Sequence, residues 1–312
     1  MAFELIVLFG GLFLVLILAS GIASVLADRA QTDPDVVANL TDRIRAWWGM
    51  IAILGVAFLL GDVGLVVLFA VCSFACLREF LTLVDRKQAD HMALALSFLV
   101  VLPVQYVAVG LGWYGFYAVF VPVYVFLVAP ILSVVRGETE GFLARVSQVQ
   151  WALMICVFCI SHVPALLILE IPGFDGRSLL LVAFLLLVVQ ASDVLQYTWG
   201  KMFGRRKLAP RVSPSKTWEG LVGGVLSAAV LGALLHGLTP FGPFWAFVMA
   251  LVAATMGAFG GLVLSAAKRD RGVKDWGHGI AGHGGFLDRL DGVAFAAPIF
   301  FHLTRFFWQS LA

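Results

Sequence analysis

The stretch SAAKRDRGVKDWGHGIAGHGGFLDRLDG, residues 265–292, is an island of charge between two long apolar runs. Its charged and imidazole side chains include those of Lys268, Arg269, Arg271, Lys274, Asp275, His278, His283, Asp288, Arg289 and Asp291. The chain as a whole is 61% hydrophobic and only 13% charged. Because charge near lipid is costly, a cluster of this kind is typical of a chemical site.

The sequence around this stretch is that of a helical membrane protein. Mean hydropathy is +0.98 over 312 residues, and apolar runs of about 18 or more residues recur. We therefore expect an all-α fold of about ten transmembrane helices. They lie near 3–26, 47–61, 63–78, 92–110, 113–135, 149–169, 178–192, 219–238, 243–265 and 290–310. Nine spans result if the second and third form one bent element, since only Gly61 and Asp62 separate them.

The basic residues are distributed unevenly between the loops. With ten spans, 19 of the 21 Lys and Arg residues fall in alternate loops. Those loops are 27–46, 78–91, 136–148, 193–218 and 266–289. Because Lys and Arg concentrate on the cytoplasmic side of membrane proteins, we expect these five loops in the cytoplasm and both termini on the other side. No basic residue precedes the first apolar run, which we interpret as a retained span rather than a cleaved signal.

The carboxylates of the charged stretch suit a divalent cation. Asp288 and Asp291 are three residues apart where the last span begins, so a helix there would put both on one face. Together with Asp275 they suit Mg²⁺, which binds one or two carboxylates and completes its octahedron with water and substrate phosphate oxygens. Lys268 and Arg269 are donors of the kind that bind phosphates. The glycine-rich segment between these residues frees backbone N–H groups to approach an anion.

A zinc site is the alternative interpretation of His278 and His283. No cysteine lies near these histidines, and the surplus of Lys and Arg around them disfavours a zinc site. All four cysteines of the chain lie within apolar runs, where we interpret them as small packed residues.

A second polar stretch, QASDVLQYTWGKMFGRRKLAPRVSPSKTWEGLVGG, residues 190–224, complements the first. Ser213 followed by Pro214 predicts a helix start, with serine as the N-cap and proline at the first helical position. An ordinary basic loop before a capped helix is the alternative. That alternative explains poorly why Asp193 and Glu219 stand at the two membrane edges of the loop.

Carboxylates for a metal, cations for phosphate and a membrane-embedded body together indicate phosphoryl or nucleotidyl transfer to a lipid. The residues also resemble the signature of the phosphatidate cytidylyltransferase (CDP-diacylglycerol synthase) family, which reads S-x-x-K-R-x4-K-D, then glycine, then H-G-G-x-x-D-R-x-D. The matching residues are Ser265, Lys268, Arg269, Lys274, Asp275, Gly277, His283, Gly284, Gly285, Asp288, Arg289 and Asp291. The upstream stretch resembles the family at Ser192, Asp193, Tyr197, Gly204, Leu208, Ala209, Pro210, Ser213, Pro214, Lys216, Thr217, Glu219 and Gly220.

The chain departs from the family pattern at three places. Residues 194–196 read Val-Leu-Gln, where the family usually has Gly-Ala before the tyrosine. Ala281 stands where proline or glycine is usual, and Ala267 where a larger aliphatic residue is usual. The metal and phosphate positions of the motif are present, so these departures bear on the acceptor lipid more than on the chemistry.

The resemblance implies an enzyme that transfers CMP from CTP to phosphatidate, giving CDP-diacylglycerol and pyrophosphate with Mg²⁺ as cofactor. It implies that Asp275, Asp288 and Asp291 bind the metal and that Lys268 and Arg269 share the catalytic role. The implied substrate-binding residues are Ser192, Asp193, Ser213, Lys216, Ser265, Lys274, His283, Gly284, Gly285 and Arg289.

We expect one membrane domain over residues 1–312, with membrane spans in 1–189 and the catalytic half, which carries the signature, in 190–312. The expected partners are CTP, phosphatidate or a related lipid phosphate, and membrane lipids, with no nucleic acid. The expected location is a bacterial inner (plasma) membrane with the active-site loops in the cytoplasm. Gly257 and Gly261 suit close helix packing, either within one chain or between two chains of a homodimer.

Three other functions stay open. The same CTP-dependent chemistry could act on another acceptor, such as an isoprenoid or ether-lipid phosphate, which the altered segment 194–196 would accommodate. A transporter or channel for anionic solutes could line its path with Asp62, Gln105 and Gln190, but it leaves the in-register motif unexplained. An inactive scaffold is the third, although no catalytic position of the motif is lost.

Overall fold

A computed structural model describes residues 2–27, 34–84, 90–135, 137, 139–280 and 284–309. Over these residues, adjoining helical pieces merge into ten long segments, accompanied by one short β-hairpin. Eight of the described helices are long and apolar enough to cross a membrane. The predicted all-α polytopic membrane fold is confirmed.

The helices follow one another along the chain with short connections. They are α1 (Ala2–Ala27), α2 (Pro34–Leu59), α3 (Gly61–Thr82), α4 (His91–Gly110), α5 (Tyr114–Val134), α6 (Phe142–Ile168), α7 (Ser178–Phe203), α8 (Trp218–Leu234), α9 (Pro243–Asp270) and α10 (Leu287–Trp308). A π-helical turn interrupts each of α4, α5 and α6, at Ser97–Val101, Phe120–Val125 and Met154–Cys159. The two helices outside the set of eight are α2, whose first half is polar, and α8, which has 17 residues.

The second and third helices are separate rather than one bent element. Gly61, the first residue of α3, has a φ of 69°, a conformation that favours glycine and breaks the helical path. In contrast, α2 is longer than predicted because the polar segment before Trp47 continues into it without a break. Helix α7 likewise extends past the predicted end at 192 to Phe203, so the polar residues that follow Ser192 lie on a helix.

The basic loop after α7 contains the hairpin, which the sequence did not predict. Strands β1 (Lys207–Ala209) and β2 (Ser213–Thr217) pair antiparallel, with Lys207 opposite Thr217 and Ala209 opposite Ser213. The predicted helix start at Ser213 and Pro214 is therefore wrong, because pairing with β1 keeps this backbone extended. The N-cap of α8 is Thr217, whose Oγ1 accepts a hydrogen bond from Gly220 N at 3.1 Å.

Small residues let helices α7 to α10 approach closely. A Cβ atom on Gly224 of α8 would lie 2.5 Å from Gln196 N of α7, so α8 packs directly on the α7 backbone. Gly257 of α9 faces Gly292 of α10, where an added Cβ on either would lie 3.3–3.5 Å from the other's carbonyl oxygen. The predicted small-residue seam of α9 is thus used within one chain.

Contacts assign the polar loops to two ends of the helical bundle. At one end, Glu79 bonds to the backbone at Phe286, and Arg269 bonds to Val212 O of the hairpin. At the other end, Arg177 bonds to Glu4 and to Gly237 O. The end of α3 and the basic loops after α7 and α9 therefore meet at one end, as the alternation of the loops along the chain predicts.

Candidate active site

A cavity of about 540 Å³ opens at the end of the bundle where the basic loops meet. Helix α7 forms one wall because Asp193, Gln196, Tyr197, Gly200 and Lys201 recur at intervals of three and four residues and share one helical face. The opposite wall and the rim are supplied by the hairpin, α8, α9 and the first turns of α10. Their lining residues are Lys207, Leu208, Ser215, Lys216, Thr217, Gly220, Leu221, Gly261, Ser265, Asp288, Arg289 and Asp291.

The cavity combines carboxylates with a larger number of cations. Asp193 and Asp291 line it from α7 and α10, and the charges of Asp193 and Lys216 both act on Asp291. A Cβ atom on Gly261 would lie 3.3 Å from both Asp291 Oδ2 and Lys216 Nζ, so glycine at this position admits the two side chains together. The other cations of the lining are those of Lys201, Lys207 and Arg289. Such a set of charges suits a polyanion accompanied by a divalent cation.

Asp288, which lines the cavity, forms an anchored ion pair. Its Oδ1 accepts a hydrogen bond from Lys268 Nζ at 2.6 Å, and its Oδ2 accepts from Trp276 N at 2.8 Å and Gly285 N at 2.9 Å. The carboxylate thus ties the end of α9 and the glycine-rich loop to the start of α10. Gly284, beside it, has a φ of 82°, which favours glycine at this turn.

Glu79 is a site-supporting residue that the sequence did not predict. It lies near the end of α3, and its two carboxylate oxygens accept hydrogen bonds from Phe286 N and Leu287 N, each at 2.9 Å. These are among the first N–H groups of α10, which have no partner within the helix. The sequence signal was weak, because an acidic residue at the end of a span does not identify a partner 207 residues away.

The other predicted site residues divide between the cavity wall and its supports. Ser265 lines the cavity, and its Oγ donates to Gly261 O at 2.6 Å. Ser192 is buried and accepts a hydrogen bond from Gln196 Nε2 at 2.9 Å. Arg269 donates from Nε to Val212 O and from Nη1 to Val273 O, so it joins the hairpin to the loop after α9.

Of the remaining predicted residues, Ser213, Lys274 and Asp275 also lie outside the cavity lining. Ser213 is in β2, and Lys274 is exposed on the loop after α9. Asp275 is half-buried, with its Cβ atom 3.4 Å from where a Cβ on Gly284 would lie. His283 lies outside the described residues. The cavity also contains residues that the sequence did not single out as site residues, namely Gln196, Tyr197, Lys201 and Lys207.

The carboxylates of the cavity would suit a magnesium ion that takes its other ligands from outside the protein. Among the described residues, no three His, Cys, Asp or Glu side chains are grouped as ligands for one ion, so Asp275, Asp288 and Asp291 do not form a preassembled set. Asp288 already accepts three hydrogen bonds. Asp193 and Asp291 face the same cavity, and Mg²⁺ characteristically binds one or two carboxylates together with substrate oxygens.

Fold and cavity define a class: a polytopic membrane protein with a cavity lined by cations and carboxylates at one end of its helical bundle. Within that class, the chain belongs to the cytidylyltransferase family, which it matches over residues 41–307. The predicted family is confirmed, and the protein is a membrane-embedded nucleotidyltransferase.

Individual relatives cover the chain to different extents. The chain is 37% identical over 269 residues to the uncharacterized protein YnbB of Escherichia coli, which covers 86% of this chain and 88% of that protein. It is 45% identical over 120 residues to the phosphatidate cytidylyltransferase of Mycobacterium leprae, covering 37% of each chain. With that of Bacillus subtilis it shares 37% identity over 141 residues, which are 45% of this chain and 52% of the relative. The chain thus spans about half or less of these phosphatidate cytidylyltransferases.

Proposed function

We propose that the protein transfers CMP from CTP to phosphatidate, producing CDP-diacylglycerol and pyrophosphate for phospholipid synthesis. The observation that carries this proposal is the cavity in which Asp193 and Asp291 face the cations of Lys201, Lys207 and Lys216 at the polar end of the membrane helices. A nucleoside triphosphate and a lipid phosphate are both polyanions, and membership of the cytidylyltransferase family supplies CTP as the nucleotide.

The proposed reaction is a single displacement at phosphorus. A phosphate oxygen of the lipid attacks the α-phosphorus of CTP, the bond from the α-phosphorus to the bridging oxygen breaks, and pyrophosphate leaves with that oxygen. Lys201, Lys207 and Arg289 bind the triphosphate, while Lys216 lies beside Asp291 and stabilises charge at the reacting phosphates. Mg²⁺ bound by Asp193 and Asp291 would neutralise the triphosphate. Most of the catalysis is positioning and charge stabilisation, as in other phosphoryl transfers.

The surface of α7 suits an acceptor that is half in the bilayer. Val194 follows the cavity residue Asp193 and Tyr197 lies about one helical turn further along α7, and their side chains are 59% and 66% exposed on the bundle. A phosphate-bearing lipid can therefore place its headgroup against the polar face of α7 while its chains stay in the membrane. The active-site end would face the cytoplasm, in keeping with the excess of Lys and Arg in its loops.

A different lipid phosphate is the second candidate acceptor. Gln196 belongs to the segment that departs from the family pattern, lines the cavity and is held by its bond to Ser192. An amide there alters the wall next to Asp193, where the acceptor headgroup would lie.

The test is a turnover assay with purified protein, labelled CTP and Mg²⁺, offering phosphatidate, a polyprenyl phosphate and an ether-lipid phosphate in parallel. We expect CDP-lipid from phosphatidate and release of pyrophosphate in equal amount. Turnover with only another acceptor would replace phosphatidate in the proposal. Solute flux in proteoliposomes without CTP consumption would instead support a transporter.

A further inference from the structure

The carboxylate of Glu79 caps the N-terminus of α10, the helix that carries Arg289 and Asp291. Glu79 accepts hydrogen bonds from Phe286 N and Leu287 N, both at 2.9 Å, across 207 and 208 residues of chain. A negative charge at a helix N-terminus satisfies the unpaired N–H groups and interacts favourably with the helix dipole. The end of α3 therefore determines where α10 begins.

Two glycines make room for this carboxylate. A Cβ atom on Gly277 would lie 2.7 Å from Glu79 Oε1, and one on Gly285 would lie 2.4 Å from Glu79 Oε2. For both glycines, the three atoms nearest the added Cβ all belong to Glu79. Gly277 and Gly285 thus pack directly against the Glu79 side chain, and these two positions cannot carry a larger residue while Glu79 stays in place.

The capped turn leads directly into the cavity. Asp288, the residue after the capped Leu287, is bound by Lys268 Nζ and by Trp276 N. Asp291 follows on the same helical face and lines the cavity with Arg289. A shift or rotation of the first turn of α10 would therefore move Asp291 and Arg289 relative to Asp193 and Lys216 on the other walls.

The cap also determines whether backbone amides at the start of α10 can bind substrate phosphates. A free helix N-terminus is an anion-binding site, because its N–H groups point at the ligand. At α10 the amides of Phe286 and Leu287 are occupied by Glu79, which is itself an anion. Substrate phosphates consequently depend on the side-chain cations of the cavity rather than on these two amides.

We propose that Glu79 is a positioning residue of the active site, through which α3 in the N-terminal half sets the place of Asp291 and Arg289. The proposal rests on the function proposed above and adds a residue outside both polar stretches of the sequence. Glu79 does not line the cavity, and it acts through α10 and the loop that precedes α10.

The experiment compares Glu79→Ala, Glu79→Gln and the neighbouring control Arg78→Ala in full-length protein purified in lipid nanodiscs. We expect Glu79→Ala to lower kcat about 100-fold, the loss that roughly 1 Å of misplacement can produce, with a much smaller change in the acceptor KM. Glu79→Gln keeps one acceptor oxygen and should recover part of the loss. Arg78 is exposed one residue away, and its removal should leave kcat unchanged.

Two further measurements separate positioning from a general loss of folding. Rates are normalised to the monodisperse, folded fraction of each variant. If Glu79 only stabilised the fold, Glu79→Ala would give less folded protein, but the kcat of the folded fraction would be unchanged. Gly277→Ala should also lower kcat in the parent chain but add nothing in the Glu79→Ala background, where the clashing atoms are gone. Additive losses, or a folded Glu79→Ala protein with the parent kcat, would overturn the proposal.

A failure of the proposed acceptor is distinguishable from a failure of this inference. If the parent protein binds CTP but makes no CDP-lipid from phosphatidate, the proposed acceptor is wrong. The role of Glu79 is then tested by measuring, in the parent and in Glu79→Ala, the affinity for CTP and the rate of amide hydrogen exchange over residues 284–292. We expect weaker CTP binding and faster exchange in Glu79→Ala and neither effect in Arg78→Ala. Parent-like affinity and exchange in Glu79→Ala would refute the inference even then.

Discussion

Lys268 Nζ lies 2.6 Å from Asp288 Oδ1, and the two side chains are only 11% and 5% exposed. The pair links the last turn of α9 to the first turn of α10, the two helices on either side of the charged loop. Because each charge is neutralised by the other, their first role is to shape the site. Asp288 accepts three hydrogen bonds in all, so Lys268 and two backbone amides occupy most of its oxygen lone pairs.

Removing one partner of this pair should cost stability as well as activity. In Asp288→Asn the nearly buried Lys268 ammonium loses its counter-charge, a change that typically destabilises by about 3–5 kcal/mol. Lys268→Met combined with Asp288→Asn should be more stable than Asp288→Asn alone, because no unpaired charge remains. Thermal unfolding in detergent measures both. An Asp288→Asn protein that melts like the parent yet has no activity would instead favour Asp288 as a metal ligand.

Magnesium dependence should report on Asp193 and Asp291. Both carboxylates face the cavity, and each supplies oxygen ligands of the kind that Mg²⁺ prefers. Asp193→Asn and Asp291→Asn should raise the Mg²⁺ concentration for half-maximal turnover by at least the roughly 10-fold that loss of even an outer-shell partner produces. The matched control is Asp270→Asn, at the exposed end of α9 and outside the cavity. An unchanged Mg²⁺ titration in both cavity variants would remove them as metal ligands.

Hydropathy was sufficient to predict the membrane helices, and spacing together with the resemblance to the family signature predicted several cavity residues. Asp291, Arg289, Asp193, Lys216 and Ser265 were all predicted from two stretches of sequence, and all line one cavity. Each stretch is local, and residue types at short spacing on a helix determine which side chains share a face.

Long-range pairing was not predictable in the same way. The partner of Glu79 is 207 residues away, and the hydrogen bond depends on how α3 packs beside α10. The start of α8 was misplaced because Ser213 and Pro214 match a local capping pattern, whereas strand pairing with β1 decides the actual conformation. Lys201 and Lys207 were counted as loop charge, since only the extension of α7 and the hairpin bring them to the cavity.

Nucleotide affinity should depend on the cations from the hairpin and α7. We expect Lys201→Ala, Lys207→Ala and Lys216→Ala each to raise the KM for CTP about 10-fold, since a charge-assisted hydrogen bond contributes about 1.5–3 kcal/mol. Lys216→Ala should also lower kcat, because its Nζ is beside Asp291. Arg211→Ala, exposed in the hairpin turn and outside the cavity lining, is the control for lost positive charge. Equal effects in Arg211→Ala would mean that net charge, rather than the cavity, sets the KM.

Close packing of α7 on α8 should be sensitive to a single methyl group. A Cβ on Gly224 would lie 2.4 Å from Gln196 Cγ and 2.5 Å from its backbone nitrogen, so Gly224→Ala must separate the helices. We expect about 1–3 kcal/mol of destabilisation, measured by thermal unfolding. Gly10→Ala in α1, where an added Cβ meets nothing within 4 Å, should be neutral or slightly stabilising. Equal melting temperatures for both variants would contradict the described α7–α8 contact.

The side of the membrane that holds the active site can be determined with two single cysteines. Arg211→Cys lies in the hairpin turn next to the cavity, whereas Gly237→Cys lies at the other end of the bundle beside Arg177. The concentration of basic residues in the loops at the cavity end predicts that this end faces the cytoplasm. In intact cells, a membrane-impermeant maleimide should therefore label Gly237→Cys, whereas Arg211→Cys should react only after the cells are opened. The parent chain measures the background labelling of the four native cysteines. Labelling in the reverse order would place the cavity outside the cytoplasm, where CTP is absent, and would contradict the proposed reaction together with the predicted orientation.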